Sequence, residues 1–365
     1  MKTKAAVLYE ANTPMVIETV DLQEPQEGEV LVKVAAAGVC HSDFHIMKGE
    51  WAWPMPAILG HEGAGIVERV GPGVTRVKPG QSVILNFRAN CGTCRYCIIG
   101  RPVLCNGAGG QRHTLFDGTS RLSKNGETIH HMARTSCFSE YTVVPESGAV
   151  PVRSDMPLDK ACLVGCAVMT GVGAVTNTAH IEAGSIVAVI GCGGVGLNSV
   201  QGAALAGASQ IVAIDMLDNK LDYARQFGAT DVVNAGNGDA VARVKEITGG
   251  GVDYAFEAIG NSHTIRQAYE MLAPGGLAVV VGMAPEDDEV SINAVSLPRT
   301  ECGIVGSWYG GGRPWVDLPK IADLYLSGRL QIDPMISRTY PLEEINVAYD
   351  ALAAGEVARS IILFE

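Results

Sequence analysis

The sequence lacks three features that would assign it to other classes of protein. Its 365 residues carry 27 Lys and Arg against 39 Asp and Glu, a net charge of −12. There is no basic run, which argues against a nucleic-acid partner. No apolar stretch reaches the roughly 18 residues of a membrane span. The N-terminus has no apolar segment followed by a small-residue cleavage site, so we expect no signal peptide and a cytoplasmic protein.

The chain is long enough for two domains of ordinary size. It contains ten cysteines. Disulfides are the usual explanation for many cysteines in a short secreted chain, whereas metal binding is the better explanation in a long intracellular one. The cysteines are therefore candidate metal ligands.

Two cysteines and one histidine lie in three separate stretches that border apolar runs. Cys40 follows the alternating strand-like run Val30–Val34, His61 lies in the sequence Gly-His-Glu-Gly, and Cys166 follows Leu163-Val164-Gly165. A Cys₂His set with a fourth position left for water or substrate is typical of a catalytic zinc. We therefore predict that Cys40, His61 and Cys166 hold a catalytic zinc ion.

Four further cysteines have the spacing C-x₂-C-x₂-C-x₇-C, which predicts a second metal site. Four thiolates without a histidine make a closed tetrahedral site, which indicates a structural zinc ion. An iron–sulfur cluster is the second interpretation, less favoured because no proline follows the last cysteine and no redox chain is evident. The four ligands are Cys91, Cys94, Cys97 and Cys105.

A glycine-rich loop between an apolar strand and a helix predicts a dinucleotide site. The strand Ser185–Ile190 leads into G-x-G-x-x-G and then into a helix-like stretch. The glycines allow the pyrophosphate to approach the helix N-terminus closely. Asp215, nineteen residues beyond the loop at the end of the next strand, is placed to bind the ribose diol and to repel a 2′-phosphate, which favours NAD over NADP. The loop residues are Gly191, Gly193, Gly194 and Gly196.

The alternation of strands and helices continues from residue 211 to residue 281, which predicts a doubly wound parallel sheet of α/β class. Residues 1–150 are predicted to be rich in β-strands, and residues 106–140 to form a long surface excursion. The last strand, 359–364, is expected to return to the first domain.

The segment Gly60–Gly65, the four-cysteine segment, the glycine loop and the stretch around Cys40 resemble the zinc-dependent alcohol dehydrogenases of the medium-chain dehydrogenase/reductase superfamily. The resemblance covers nearly the whole chain. It implies two zinc ions per chain, NAD, a small alcohol or aldehyde as substrate, and a homodimer or homotetramer.

The resemblance also implies a GroES-like β-rich catalytic domain joined to a Rossmann domain with a doubly wound parallel sheet, with a cleft between them. The catalytic domain would comprise residues 1–167 and 308–365 and carry a structural-zinc lobe at 91–105. The NAD-binding Rossmann domain would comprise residues 168–307.

Roles at the catalytic zinc follow from the same resemblance. Ser42 would hydrogen-bond the alkoxide, and His45 would pass the alcohol proton to solvent, a task suited to a pKa near neutrality. Asp43 would hydrogen-bond a ligand imidazole, and Glu62 would lie behind the zinc as a possible transient ligand. The alternatives are a turn hydroxyl for Ser42, an exposed polar residue for His45 and ion-pair partners for the carboxylates.

Further cofactor contacts are implied at positions that match the family pattern. An arginine suits a bidentate contact with the pyrophosphate, whereas a histidine there makes a weaker and pH-dependent cation. Thr170 would pack against the nicotinamide, Val195 in the glycine loop would pack against the cofactor, and Lys220 would assist Asp215 at the adenosine ribose. These residues are Arg359, His41, Thr170, Val195 and Lys220.

The substrate is predicted from four apolar side chains expected to line a pocket: Trp51, Trp53, Met283 and Trp308. They favour a medium-chain or aromatic primary alcohol and its aldehyde. A formaldehyde dehydrogenase that acts on a glutathione-type thiol adduct is the alternative, less favoured because residues 106–110 contain no arginine. A nonenzymatic cofactor-binding protein of the same fold is the alternative from another class, and the Cys40, His61 and Cys166 set argues against it.

Overall fold

The computed structural model describes residues 1–355 and 358–365, which divide into two compact units. The first unit comprises Met1–Cys166, Arg313–Gly328 and Ile332–Glu365, and the second comprises Ala167–Gly312 and Arg329–Gln331.

The second unit runs five residues beyond the limit of 307 expected from the sequence. Gly310 explains the extension, because a Cβ on this residue would lie 2.4 Å from the Met169 carbonyl oxygen. Residues 329–331 also belong to this unit: Gln201 accepts the Gln331 N–H at 2.7 Å and donates to the Gln331 carbonyl at 2.9 Å.

The strands of the described residues alternate with short turns in the first unit and with helices in the second. In chain order they are β1 (Lys2–Leu8), β2 (Val16–Leu22), β3 (Glu29–Gly38), β4 (Ala57–Ile58), β5 (Glu62–Val70), β6 (Ser82–Leu85), β7 (Leu122–Lys124), β8 (Glu127–His131), β9 (Tyr141–Pro145), β10 (Ala149–Pro151), β11 (Ile186–Ile190), β12 (Gln210–Asp215), β13 (Asp231–Asn234), β14 (Val252–Glu257), β15 (Leu272–Val280), β16 (Gly303–Gly306), β17 (Ile336–Pro341) and β18 (Arg359–Leu363).

The α-helices of the same residues are mostly short in the first unit and longer in the second. They are α1 (His41–Met47), α2 (Arg95–Ile98), α3 (Leu158–Leu163), α4 (Met169–Gly173), α5 (Gly194–Leu205), α6 (Asp218–Gln226), α7 (Ala240–Thr248), α8 (Ser262–Glu270), α9 (Ser296–Thr300), α10 (Pro314–Leu326) and α11 (Ile345–Ala353). Two π-helical segments, Val164–Val168 and Ala174–Ala179, continue α3 and α4.

The first unit is built from a closed barrel and a larger sheet. The barrel has the strand order β1-β2-β7-β8-β4, and the sheet has the order β10-β6-β5-β3-β18-β17 with β9 also paired to β3. The long strand β3 is central, because it pairs antiparallel with β5, β9 and β18. The end of β3 at Gly38 leads directly to Cys40, so a strand buried over most of its length positions this residue.

The second unit is a six-stranded sheet of order β13-β12-β11-β14-β15-β16 in which every pair is parallel. β11 and β12 read Ile-Val-Ala-Val-Ile and Gln-Ile-Val-Ala-Ile-Asp and are buried over most of their length, as expected for strands covered on both faces. The chain moves outward in one direction from β11 to β13 and in the other from β14 to β16. The carboxyl ends of β11 and β14 therefore form the switch point where open α/β sheets bind ligands.

Residues 106–140 form the surface excursion expected from the sequence only in part: residues 106–120 contain no strand or helix and bury only Leu115, whereas residues 121–140 join the barrel and the core. β7 and β8 complete the barrel, with Leu122 opposite Leu22 and His131 opposite Ile58. Residues 131–139 are all buried. The prediction is wrong for residues 121–140 because these strands are only three and five residues long, too short for a periodic pattern, and their partners are distant in sequence.

One helix in the described part of the chain, Leu158–Ala179, is long and apolar enough by composition to cross a membrane. This differs from the expectation that no stretch reaches that length. Most of the helix is buried inside the protein, which is typical of a core helix and is weak evidence for a membrane span.

Candidate active site

Four buried side chains of the first unit converge on one point. The ligand atoms of Cys40, His61, Glu62 and Cys166 all lie within 4.8 Å of one another. The three ligands predicted for the catalytic zinc are among them, although 126 positions separate Cys40 from Cys166. Two thiols and an imidazole around one point are a donor set that suits zinc.

Each ligand is positioned by a regular element or by its end. Cys40 is the N-cap residue of α1. His61 immediately precedes β5 and follows Gly60, whose φ of +91° is in the left-handed region that favours glycine. Cys166 lies in the π-helical segment Val164–Val168, and such segments are frequent at functional sites.

Asp43 holds the imidazole of His61. Its Oδ2 lies 2.9 Å from His61 Nδ1, and its Oδ1 accepts the Gly60 N–H at 2.9 Å. A carboxylate beside Nδ1 favours the tautomer with its proton on that nitrogen, which leaves the lone pair on Nε2. Within the described residues, His61 Nε2 is buried and has no hydrogen-bond partner. An unpaired buried nitrogen in this cluster fits a metal ligand.

A buried loop, residues 135–138, hydrogen-bonds to Gly60 and packs against it. The sequence did not predict this contact. The Thr135 hydroxyl donates to the Gly60 carbonyl at 2.9 Å, and the Cys137 N–H donates to the same oxygen at 3.0 Å. A Cβ on Gly60 would lie 2.8 Å from the Phe138 nitrogen, so the loop packs directly against the glycine. In the sequence, only the glycine before His61 indicates that another part of the chain packs closely here.

Glu62, one of the four clustered side chains, forms a buried ion pair with Arg359. Arg359 Nη1 lies 3.3 Å from Glu62 Oε1 and donates to the Val39 carbonyl at 3.1 Å. Burial raises the pKa of Glu62 to about 8, while the Arg359 charge opposes the rise. The structure thus places Glu62 with the predicted ligands and Arg359 beside it. The pyrophosphate contact of Arg359 stays a prediction.

The two thiols are close enough to share a proton. A hydrogen bond with Cys166 lowers the pKa of Cys40 well below its usual value, and the same bond raises the pKa of Cys166. A site that already favours one thiolate needs to lose one thiol proton fewer when a metal ion binds.

The predicted relay residues lie along α1. Ser42 is half-buried, two residues beyond Cys40, and His41 is exposed at the start of the helix. His45 is 31 % exposed, its Nδ1 contacts the Glu50 carboxylate, and its ring stacks on Trp51 with centroids 4.7 Å apart. His45 thus stands between the buried end of the helix and solvent, and its role in proton release stays a prediction.

The four residues predicted to line a substrate pocket fall in different units. Trp51 and Trp53 pack against the core of the first unit, and the Trp53 indole N–H donates to the His131 carbonyl at 3.0 Å. Met283, 45 % exposed, and Trp308 belong to the second unit. A pocket made by all four stays a prediction.

The second cysteine cluster has the dimensions of a tetrahedral site. The Sγ–Sγ distances are 3.6 Å for Cys94 to Cys97, 3.8 Å for Cys94 to Cys105 and 3.5 Å for Cys91 to Cys105. Zinc–sulfur bonds of about 2.3 Å in a tetrahedron place the sulfurs about 3.8 Å apart. The Cys94 N–H also donates to the Cys91 sulfur at 3.3 Å. The helix α2 in this lobe buries none of its residues, and Val103 is the one buried residue between positions 91 and 105, so the lobe has little apolar core of its own.

The glycine loop of the second unit has the close approaches that its sequence predicts. A Cβ on Gly196 would lie 1.7 Å from the Gly191 carbonyl oxygen, so a side chain at this position cannot fit. A Cβ on Gly193 would meet nothing within 4 Å, which leaves open space at the N-terminus of α5. Gly194 and Val195 form the first turn of that helix. The first N–H groups of a helix have no partner within the helix, so open space at this end suits a pyrophosphate.

Asp215 lies at the carboxyl end of β12 and is tied to the same loop. Its Oδ2 accepts the Cys192 N–H at 2.8 Å, and its Oδ1 accepts the Leu217 N–H at 3.1 Å. Lys220 is in the first turn of α6, and Thr170 is half-buried on α4. Residues 191–196 and Asp215 are therefore close together, as the sequence predicted.

Comparison with known proteins places both units in one family. Residues 26–154 match the model described as "Alcohol dehydrogenase GroES-like domain", and residues 194–327 match the model described as "Zinc-binding dehydrogenase". The chain belongs to the zinc-dependent alcohol dehydrogenases of the medium-chain dehydrogenase/reductase superfamily. The predicted fold class, a GroES-like domain with a Rossmann domain, is confirmed, and both cysteine clusters fit the zinc of this NAD-linked family.

Individual relatives match over the full length. The alcohol dehydrogenase class-3 of Cereibacter sphaeroides is 44% identical and the S-(hydroxymethyl)glutathione dehydrogenase of Paracoccus denitrificans is 42% identical, each with 100% of both chains covered. The benzyl alcohol dehydrogenase of Acinetobacter calcoaceticus has a similar structure, with a TM-score of 0.95, 32% identity and 100% of both chains covered.

Proposed function

We propose that this chain oxidises the hydroxymethyl group of a thiol–formaldehyde adduct, with NAD as the hydride acceptor. The reaction R–S–CH₂OH + NAD⁺ gives R–S–CHO + NADH + H⁺. The sequence alone favoured a medium-chain or aromatic primary alcohol as substrate, with the thiol adduct as the alternative. The preference between these two substrates is reversed here. The observation that supports the change is the full-length identity of 44% and 42% to the class-3 and S-(hydroxymethyl)glutathione enzymes.

Residues Cys40, His61 and Cys166 would hold the catalytic zinc, and Glu62 lies within reach as a transient fourth ligand. When bound, zinc supplies Lewis-acid polarisation of the substrate hydroxyl, and the nicotinamide of NAD supplies the hydride acceptor. Asp43 fixes the orientation of His61 through its contact with Nδ1. The protein thus contributes a rigid, buried ligand set.

Proton release is assigned to α1. Ser42, two residues beyond Cys40 in the first turn, would accept a hydrogen bond from the substrate hydroxyl and, as it takes that proton, would release its own proton toward His45. His45 transfers the proton to solvent, and its partial exposure and its contact with Glu50 support this role. We also propose that Asp215 selects NAD over NADP and that the enzyme is a cytoplasmic homodimer or homotetramer.

A second candidate substrate is an aromatic or medium-chain primary alcohol. The structural similarity to benzyl alcohol dehydrogenase supports it. The absence of arginine from residues 106–110 also supports it, because an anionic thiol adduct needs a cation that an apolar alcohol does not.

Initial rates with a substrate panel test the proposal. The panel comprises formaldehyde with glutathione, formaldehyde alone, benzyl alcohol and octanol, each with NAD and with NADP. We expect kcat/KM to be highest for the adduct with NAD. A higher kcat/KM for benzyl alcohol or octanol would favour the second candidate, and a higher kcat/KM with NADP would refute the Asp215 assignment. Binding of NADH without turnover of any substrate would indicate the nonenzymatic class.

A further inference from the structure

A buried carboxylate of the second unit, Glu257, organises the turn that follows β14. Its Oε1 accepts the Ile259 N–H at 2.9 Å, the Gly260 N–H at 2.7 Å and the Thr264 hydroxyl at 2.8 Å. Within the described residues, its Oε2 has no hydrogen-bond partner. A buried carboxylate is destabilising unless it is hydrogen-bonded. The three donors therefore fix the turn Ala258–Gly260 to the end of the strand.

This turn packs against the first glycine of the dinucleotide loop. A Cβ on Gly191 would lie 2.6 Å from Ile259 Cγ1 and 3.3 Å from the Ala258 carbonyl carbon. Gly191 also has a φ of +92°, a conformation that few other residues adopt. Since protein interiors are close-packed, a shift of the turn would displace Gly191.

The same turn packs against the segment that follows β15. A Cβ on Gly260 would lie 2.5 Å from the Met283 nitrogen. The N–H groups of Val281 and Gly282 donate to the Glu257 backbone carbonyl at 2.8 Å and 3.0 Å. Glu257 thus lies where the carboxyl ends of β11, β14 and β15 meet, which is the edge where open α/β sheets bind dinucleotides.

We propose that Glu257 is a positioning residue for the dinucleotide, which acts by holding the turn Ala258–Gly260 against the Gly191 loop. The inference rests on the proposed function, because it needs a chain that binds NAD(H). Burial raises the pKa of Glu257, and the N–H groups and the Thr264 hydroxyl that surround it oppose that rise. Its role is indirect, through the backbone of the loop.

Three variants test the inference by NADH fluorescence titration, with melting temperature measured alongside. E257A removes the acceptor, E257Q keeps an oxygen that can accept the same bonds, and D253A is the matched control. Asp253 lies at the opposite end of the same strand, where it accepts the Ile186 N–H at 2.7 Å. We expect the Kd for NADH to rise about tenfold in E257A and less than about threefold in E257Q. D253A should bind NADH as the wild type does.

Steady-state rates separate positioning from a general loss of structure. At saturating NAD, kcat of E257A should stay near the wild-type value while KM for NAD rises, because the zinc ligands lie in the other unit. A Kd for NADH in E257A within about twofold of the wild-type value would overturn the inference. If E257A does not fold, T264V serves in its place, because it removes one of the three donors to the carboxylate. We expect T264V to raise the Kd for NADH about threefold, and an unchanged Kd would also overturn the inference.

The proposed function and this inference fail in different ways. A wild-type chain that binds neither NADH nor NADPH would refute the proposed function and the inference with it. A wild-type chain that binds NADH, together with an E257A variant that binds equally well, would refute the inference alone.

Discussion

The carboxylate of Asp43 joins the ligand His61 to the backbone that precedes it, with one oxygen 2.9 Å from Nδ1 of the ring and the other accepting the Gly60 N–H at 2.9 Å. The ring and the adjoining main chain are therefore held by one buried side chain. This arrangement limits the rotation of His61 and occupies Nδ1, which leaves Nε2 as the nitrogen available to a metal ion in a cluster whose ligand atoms lie within 4.8 Å of one another.

Replacing Asp43 by Asn should weaken the catalytic zinc site. We expect a loss of about 10- to 100-fold in activity or metal affinity, because the amide no longer favours the proton on Nδ1. Activity after timed exposure to a chelator measures the effect. D21N is the control, since Asp21 is an exposed partner of Lys2; equal chelator resistance of D43N and wild type would contradict the role.

Metal content should be two zinc ions per chain, measured by emission spectroscopy. C97S should retain one zinc and melt at a lower temperature. The helix α2 of this lobe buries none of its residues, so we expect the lobe to depend on zinc binding by its four cysteines. C302S is the control, since Cys302 lies outside both clusters and donates to the Ala273 carbonyl. Two zinc ions in C97S would argue against the four-cysteine site.

Replacing Ser42 by Ala should remove most of the turnover and leave NADH binding intact. The hydroxyl is the expected hydrogen-bond partner of the substrate oxygen, and general acid–base groups contribute about 10²- to 10⁴-fold. Single-turnover rates and NADH titration measure the two effects separately. T13A is the control, because Thr13 is a surface residue that donates to the Glu10 carbonyl. A loss below about threefold in S42A would remove Ser42 from the proton path.

Replacing Asp215 by Ala should reduce the preference for NAD. The carboxylate no longer repels a 2′-phosphate or binds a ribose diol, so kcat/KM should fall with NAD and rise with NADP. The ratio of the two values is the measurement, and we expect it to change about tenfold or more. D222N on the outer face of α6, where Asp222 pairs with Arg225, should leave the ratio unchanged.

Acid should destabilise the first unit in part through His131. Burial lowers the pKa of His131 from 6.5 to about 3, so the folded state keeps the ring neutral while the unfolded state takes up a proton. Above pH 6.5 the ring is neutral in both states and the folded state keeps its full stability. As the pH falls from 6.5 toward 3, the free energy of unfolding decreases, by about 2 kcal/mol at pH 5.

The measurement is the fall in melting temperature between pH 8 and pH 5 for wild type and H131Q. The fall should be larger for wild type, because the variant has no ring to protonate. The other histidines and the zinc ligands are common to both proteins and cancel in the comparison. Equal falls would show that His131 does not contribute.

Features that depend on local sequence were predictable. The strand, loop and helix around Gly191 and Gly196 lie within one short stretch, and so do the four cysteines from Cys91 to Cys105. Their geometry follows from spacing because few residues separate the partners. The proximity of Asp43 and His61 was expected from resemblance to a family rather than from spacing.

Contacts between distant partners were not predictable from local pattern. The convergence of Cys40, His61 and Cys166 was predicted from the chemistry of the donor set and from the family resemblance. β7 joins the barrel through Leu122 opposite Leu22, a pairing across 100 positions that no local pattern encodes. The contact of Thr135 with Gly60 and the ion pair of Arg359 with Glu62 are likewise long-range. Such contacts are set by tertiary packing, which sequence periodicity does not report.

The two metal sites differ in how much chain must be synthesised before each is complete. The lobe cysteines lie between positions 91 and 105, whereas Cys40 and Cys166 are separated by 126 positions. The entropy of closing a loop grows with its length, so the lobe assembles at lower entropic cost. During translation the lobe can therefore bind its zinc ion first. A nascent chain released before Cys166 would hold the structural zinc ion but would lack a complete catalytic zinc site.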